Sequence, residues 1–171
     1  MKVDYLSSGV GFFYLHNNVM YNTILFDLEW VVFDPTTKQL CSGFQEIYNF
    51  AILNNITVGL VTGATKAEVE AIENTISLEK LFGNNIYIVE ELWFSSKRES
   101  ALWEFVVSQM SLSPKNTLLV DDGENGILWA KSTWIITYYV SNDGTICTYA
   151  DEVWTLSDFL NFLLSTTNDN I

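Results

Sequence analysis

At 171 residues, 49% of them hydrophobic, the chain is long enough for one domain with its own apolar core and too apolar for a disordered segment. A formal charge of -13, with only 8 Lys and Arg, argues against nucleic acid and anionic membrane as partners, because affinity for such polyanions comes mainly from basic side chains. No apolar run reaches the roughly 20 residues of a membrane span, no basic-then-apolar leader opens the chain, and Cys41 and Cys147 are too few and too far apart for a disulfide framework, so a reduced, cytoplasmic protein is expected.

The first 22 residues are aromatic and irregular. Residues 11–15 and 19–21 flank the turn-like His16-Asn17-Asn18 and predict a hairpin leading into the first core strand. Its aromatic side chains suit packing on the same subunit, with a homodimer contact as the alternative. From Thr23 the pattern alternates. Strands are expected at 23–26, 57–61, 86–89, 117–120 and 134–140, with a short one around Val153. Helices are expected at 39–53, where Leu40, Phe44, Ile47, Tyr48 and Ala51 share a face, and at 66–76, 97–110 and 125–132. Ser157 is expected to cap a last helix through Leu164, and the polar tail from Ser165 to fray. Strands alternating with helices predict βαβ units. The expected fold class is therefore α/β, a Rossmann-like three-layer sandwich with a mainly parallel central sheet, as one domain over 1–171.

Chemistry-bearing residues fall at the expected strand ends. The apolar run Ile24-Leu25-Phe26 delivers Asp27, and Glu29 follows two positions later. An acid at the end of a buried strand is costly unless it meets water, a cation or a donor, and in open parallel sheets ligands bind at such ends. The strand over 57–61 runs into Thr62-Gly63-Ala64-Thr65 just before a helix, where a hydroxyl beside free amides suits a phosphate and equally suits a plain cap. Lys97 follows Ser95-Ser96 at an expected helix start. The strand over 117–120 ends in Asp121-Asp122-Gly123. Adjacent acids repel, raising their pKa values unless a cation neutralises them, and hard oxygen ligands suit Mg²⁺. His16 is the only histidine, which argues against a zinc site or a His-based triad, and dinucleotide and P-loop glycine fingerprints are absent.

The order of these features resembles the haloacid dehalogenase superfamily of phosphatases and related hydrolases. Residues 26–34, Phe-Asp-Leu-Glu-Trp-Val-Val-Phe-Asp, are similar to its Asp-x-Asp-Gly-Thr/Val loop. Residues 58–63 resemble its second motif, Lys97-Arg98 its Lys-Pro third motif, and residues 118–127 its acidic fourth motif. The likeness extends from about Asn22 to Leu164. It implies that Asp27 is the nucleophile and a metal ligand. The position of Glu29 would supply the general acid/base and a carbonyl ligand. Thr62 and Lys97 would hold the phosphoryl oxygens, beside Gly63, and Asp121 and Asp122 would complete the Mg²⁺ site. The substrate implied is a small phosphorylated molecule or a phosphorylated macromolecule.

The chain departs from the family pattern at several positions. Glu29 stands in place of an Asp, which lengthens the acid's reach by about 1 Å, and misplacement on that scale can cost ~10²-fold in rate. Trp30 replaces the loop glycine. If that position needs positive φ, the substitution costs roughly 1–2 kcal/mol, and the indole is expected to crowd the phosphate pocket or floor an apolar one. Arg98 replaces the proline, Gly123 a serine, and Trp134 a second glycine. Too few residues separate Asp27 from Thr62, or Thr62 from Lys97, for an inserted cap, so an open site is expected unless a subunit or the N-terminal segment covers it. Two functions fit: a Mg²⁺-dependent phosphohydrolase, or a catalytically impaired relative that binds a ligand or a protein. The survival of Asp27, Asp121 and Asp122 favours the first.

Overall fold

The computed structural model describes residues 13–15, 19–141 and 146–159. Strands β1 (Phe13–Leu15) and β2 (Val19–Tyr21) pair as the expected antiparallel hairpin; residues 16–18, where a turn is expected, and residues 160–171, with the helix expected through Leu164 and the tail, lie outside the described residues. Six strands then form one parallel sheet: β3 (Thr23–Phe26), β6 (Thr57–Thr62), β7 (Ile86–Ile88), β8 (Thr117–Asp121), β9 (Ile136–Val140) and β10 (Glu152–Trp154). Their spatial order is β10-β9-β8-β3-β6-β7, and every pairing among them is parallel. The chain moves outward from β3 through β6 to β7, then crosses back to lay β8 on the other side of β3. The strand order therefore reverses between β3 and β8, and the crevice beyond their C-terminal ends is where an open α/β sheet binds ligands.

Side-chain alternation along β3 and β8 divides the core. Ile24, Phe26, Leu118 and Val120 point to one face, where they meet Phe44, Ile47 and Ala51 of α1 (Phe44–Leu53), Val69 and Ile72 of α2 (Lys66–Ile76), and Leu78 and Phe82 of α3 (Leu78–Phe82). Leu25 and Leu119 point to the other, against Leu102, Trp103 and Val106 of α4 (Ser100–Gln109) and Ile127 and Ala130 of α5 (Glu124–Ser132). Strands buried on both faces read as continuous apolar runs, which is why they stand out in the sequence. Among the described residues, no helix is long and apolar enough to cross a membrane.

Four elements differ from expectation. Residues 39–40 are not helical. They form β5 (Gln39–Leu40), paired antiparallel with β4 (Phe33–Asp34). Asp34 Oδ1 accepts from the amides of Thr36 and Thr37, closing the turn that brings the two strands together, and Gly43 at φ 88 delays the start of α1 to Phe44. The local turn chemistry thus overrides the helical spacing of Leu40. The helix expected from Lys97 starts at Ser100, leaving Lys97 in the preceding loop. Strand β9 begins at Ile136 rather than Trp134, because Trp134 lies in the turn after α5 at φ 68. The last helix is capped by Thr155, not Ser157: Thr155 Oγ1 accepts from the Asp158 amide and donates to Asp158 Oδ2.

Candidate active site

The ends of β3 and β8 bring the acids together. Asp27 N donates to Val120 O at 2.9 Å, so the ladder continues to the first residue past β3 and holds Asp27 at the switch point. Asp121, the last residue of β8, is fully buried. Its Oδ1 accepts from the Gly123 amide at 2.7 Å. Its Oδ2 accepts from Lys97 Nζ at 2.8 Å, and the same ammonium lies 2.7 Å from Asp27 Oδ1. Asp122 joins them: one carboxylate oxygen from each of Asp27, Asp121 and Asp122 lies within 4.8 Å of the others.

Charge explains the arrangement. Three carboxylates face one ammonium, and little water reaches them. Burial pushes the Asp27 carboxyl well above the usual carboxylate range; Lys97 opposes that rise and the Asp121 charge adds to it. Burial, with repulsion from Asp121, pushes Asp122 up to about 6. Burial alone would lower Lys97, but Asp121 and Asp27 override it and hold the ammonium firmly protonated. The surplus of negative charge on hard oxygen atoms is what a divalent cation such as Mg²⁺ neutralises, so the donor set fits the ion that the sequence implies.

Several residues not singled out in the sequence build this floor. Lys97 reaches Asp27 and Asp121 from a loop, whose position is fixed by the fully buried Trp103: its Nε1 donates to Lys97 O at 3.2 Å. Gly126, in the first turn of α5, has no room for a side chain, since a Cβ there would lie 2.2 Å from Asp121 Oδ2. The missing methyl is the space that Asp121 occupies. A glycine inside an otherwise helical stretch was the available signal. Nothing in the sequence marks Trp103 apart from other core aromatics.

The other predicted residues fall at differing distances from the floor. Gly63 lines the cavity above it, but Thr62 is buried one residue back and its Oγ1 accepts from the Ala64 amide. The cap of α2 is Thr65, in a reciprocal box with Glu68. Glu29 is exposed, and its carboxylate is not one of the three that gather, although its charge is felt at Asp122. Trp30 has φ 60, so the glycine position does require the left-handed region. Its indole is not in the Asp27 cavity. Trp30 lines a second, smaller cavity of about 250 Å³ with Asp34, Cys41, Ser42 and residues 155–157, so of the two placements expected for its indole the crowding of the phosphate pocket is the one the structure does not have.

The main cavity measures about 680 Å³ and opens widely to solvent, with Asp27, Lys97 and Asp121 at its base and Trp93, Phe94 and Arg98 among its walls. Between Asp27 and Thr62 lie only the β4–β5 hairpin and α1, and between Thr62 and Lys97 only α2, α3, β7 and the 3₁₀ turn Val89–Leu92. Among the described residues the site carries no inserted cap and is open; residues 1–12, named as a cover in the expectation, lie outside them.

No family model and no curated protein matches the sequence. Solved structures match the fold. A Thermotoga maritima protein assigned as a β-phosphoglucomutase aligns with a TM-score of 0.73 at 14% identity, covering 84% of this chain and 99% of its own. CbbY from Rhodobacter sphaeroides, in complex with phosphate, gives 0.68 at 12% identity, over 84% of this chain and 99% of its own. A haloacid dehalogenase family hydrolase from Deinococcus radiodurans R1, with bound phosphate and sodium, gives 0.66 at 12% identity, over 84% of this chain and 97% of its own.

Proposed function

We propose that this chain, whose fold is that of the haloacid dehalogenase-like hydrolases, hydrolyses phosphate monoesters with Asp27 as the nucleophile. The observation that carries the reading is the shared ammonium. Lys97 Nζ bridges Asp27 and Asp121 at 2.7 and 2.8 Å at the topological switch point. Two of its three N–H groups are engaged there, leaving the third for a phosphoryl oxygen. Phosphate bound in the CbbY and Deinococcus structures, which share this fold, supports the substrate class.

The steps follow from the groups present. Asp27 attacks phosphorus, an aspartyl-phosphate bond forms, and the ester P–O bond breaks. Glu29 gives its proton to the departing alkoxide and then takes one from the water that attacks phosphorus, releasing inorganic phosphate and restoring Asp27. Lys97 neutralises the phosphoryl charge that Asp27 would otherwise repel. Asp27, Asp121 and Asp122, with the main chain at Glu29, would hold Mg²⁺, which supplies charge neutralisation and orientation of the phosphoryl group when bound.

Asp27→Asn tests the reading. It keeps the shape and removes the nucleophile, so Mg²⁺-dependent hydrolysis of an aryl phosphate should fall to background while the fold, monitored by far-UV dichroism, is unchanged. The exposed position of Glu29, apart from the three gathered acids, favours a second reading, a catalytically impaired protein that binds a phosphorylated ligand. Wild type with no turnover on a broad phosphate panel at millimolar Mg²⁺, yet stabilised by phosphate and Mg²⁺ together, would establish that alternative.

A further inference from the structure

The cavity is much larger than a phosphate, and its rim has its own character. Trp93 is 96% exposed at φ 64, directly after the turn Val89–Leu92. Neither exposure nor the left-handed backbone is informative by itself, since Trp134 has both, at 74% and φ 68, and lies on neither cavity. What distinguishes Trp93 is that it lines the same cavity as Asp27 and Lys97. The segment carrying it is held on both sides. Before it, the Lys66 amide donates to Glu90 Oε2 at 2.8 Å and Lys66 Nζ pairs with Glu91 at 2.6 Å. After it, Ser95 N and Oγ both donate to Glu99 Oε1, and Phe94 packs on Phe105 with centroids 6.1 Å apart. Arg98, with a second flat group, lines the cavity as well, as does Asn125, whose amide, turned so that its oxygen faces the guanidinium, accepts from Arg98 Nη2 and Nε at 3.0 and 3.2 Å. Indole and guanidinium surfaces both favour planar partners.

From this sharing of one cavity by Trp93, Arg98 and Lys97 we infer that the substrate is a phosphate ester carrying an aromatic ring, its phosphate on the floor and its ring against Trp93; the inference rests on the phosphohydrolase reading above. Two sources share that chemistry: a ring bonded directly to the ester oxygen, as in O-phosphotyrosine, and a nucleobase beyond a sugar, as in adenosine 5′-monophosphate. The open cavity accepts either length.

The test compares kcat/KM for O-phosphotyrosine, adenosine 5′-monophosphate and ring-free glycerol phosphate in wild type, Trp93→Ala and Trp93→Phe at saturating Mg²⁺. Wild type should favour at least one ring-bearing ester over glycerol phosphate by about tenfold, the scale of one aromatic contact. Trp93→Ala should lower kcat/KM for the favoured ring ester about tenfold more than for glycerol phosphate, and Trp93→Phe should restore most of that difference. Which ring ester loses more identifies the source. Equal losses on all three esters, or a ring preference that survives Trp93→Ala, would overturn the inference. Calorimetric binding of phenyl phosphate separates it from the reading beneath it. If nothing is turned over but phenyl phosphate binds and Trp93→Ala weakens it about tenfold, the hydrolase reading fails and the ring site stands. Turnover with neither ring preference nor Trp93-dependent binding leaves the hydrolase and removes the ring site.

Discussion

The floor of the cavity and the exposed tryptophan turns are built on opposite principles. On the floor, Asp27, Lys97 and Asp121 are held by mutual charge in a setting that excludes water. At the turns, Trp30, Trp93 and Trp134 occupy a backbone region that L-residues avoid, with much of each indole in solvent. Truncation should therefore have opposite signs in the two places, destabilising the floor, where it strands a buried charge, and relieving the backbone at the turns.

The largest effect is expected at Lys97. Removing one partner of a buried ion pair typically costs about 3–5 kcal/mol, because the other charge stays buried without compensation. Lys97 serves two carboxylates, so Lys97→Met should sit in that range by urea unfolding without metal. A loss below about 1 kcal/mol would mean that the floor behaves like a solvated surface pair, and the comparison would fail at its strongest point.

Gly126→Ala comes next, and its sign is diagnostic. In an ordinary helix interior that change gains roughly 0.5–1 kcal/mol. Here the added methyl would sit 2.2 Å from Asp121 Oδ2, so the carboxylate must move or α5 must shift. We expect a net loss of about 1–3 kcal/mol, the usual cost of overpacking, together with a smaller rise in melting temperature on adding Mg²⁺. A gain in stability would show that Asp121 is free to move aside.

What was legible in the sequence follows the same division. The sheet strands could be read because both of their faces are buried, and Asp27 and Asp121 because each acid interrupts an apolar run at a strand tip. The helices expected over 66–76 and 125–132 are both present, the second starting one residue earlier at Glu124. Local competition hid the rest. The Asp34 turn captured Gln39 and Leu40 for a hairpin although they suit a helix, and Lys97 lies in an irregular loop whose anchor, Trp103, looks like any core residue. Gly126 could be noticed as a glycine inside a helix, but its partner Asp121 could not be read, because that contact joins a strand tip to a helix in three dimensions. The resemblance to a glycine-bearing loop raised positive φ at residue 30 as a condition, which the structure meets, whereas which residues line the cavity at Trp30 could not be read, because Cys41 and residues 155–157 meet it only in three dimensions.

A smaller effect concerns pH. With Asp122 pushed up to about 6, its proton binds more tightly in the folded protein than in the unfolded chain. This group therefore favours folding at low pH, and its contribution fades as pH rises from the ordinary carboxylate range to about 6. Mg²⁺ must displace the same proton. The melting-temperature gain from millimolar Mg²⁺ should be full near about pH 7.5 and much reduced near about pH 5. Asp122→Asn should weaken that pH dependence and leave the part that belongs to Asp27, whose carboxyl is also raised. A gain that is constant across the window would place the cation elsewhere.

The smallest effect, and the one that isolates the turns, is relief of strain. Left-handed backbone costs an L-residue about 1–2 kcal/mol, while glycine returns roughly 0.4–1 kcal/mol through the entropy of the unfolded chain. Trp134→Gly, at 74% exposure, should gain about 0.5–1 kcal/mol, or ~1–4 °C in melting temperature. Trp30→Gly should gain less, because Trp30 is only 43% exposed and lines the second cavity. Trp134 is the reference, since its indole lines neither cavity. Should Trp30→Gly lose stability where Trp134→Gly gains it, packing around Cys41 and residues 155–157 outweighs the backbone. The chain would then retain tryptophan at the glycine position for what the ring holds together. Turnover separates that role from one in catalysis: with Trp30 outside the Asp27 cavity, its replacement should leave kcat within a few-fold, and a loss of about 10²-fold would tie the first loop's geometry to the chemistry after all.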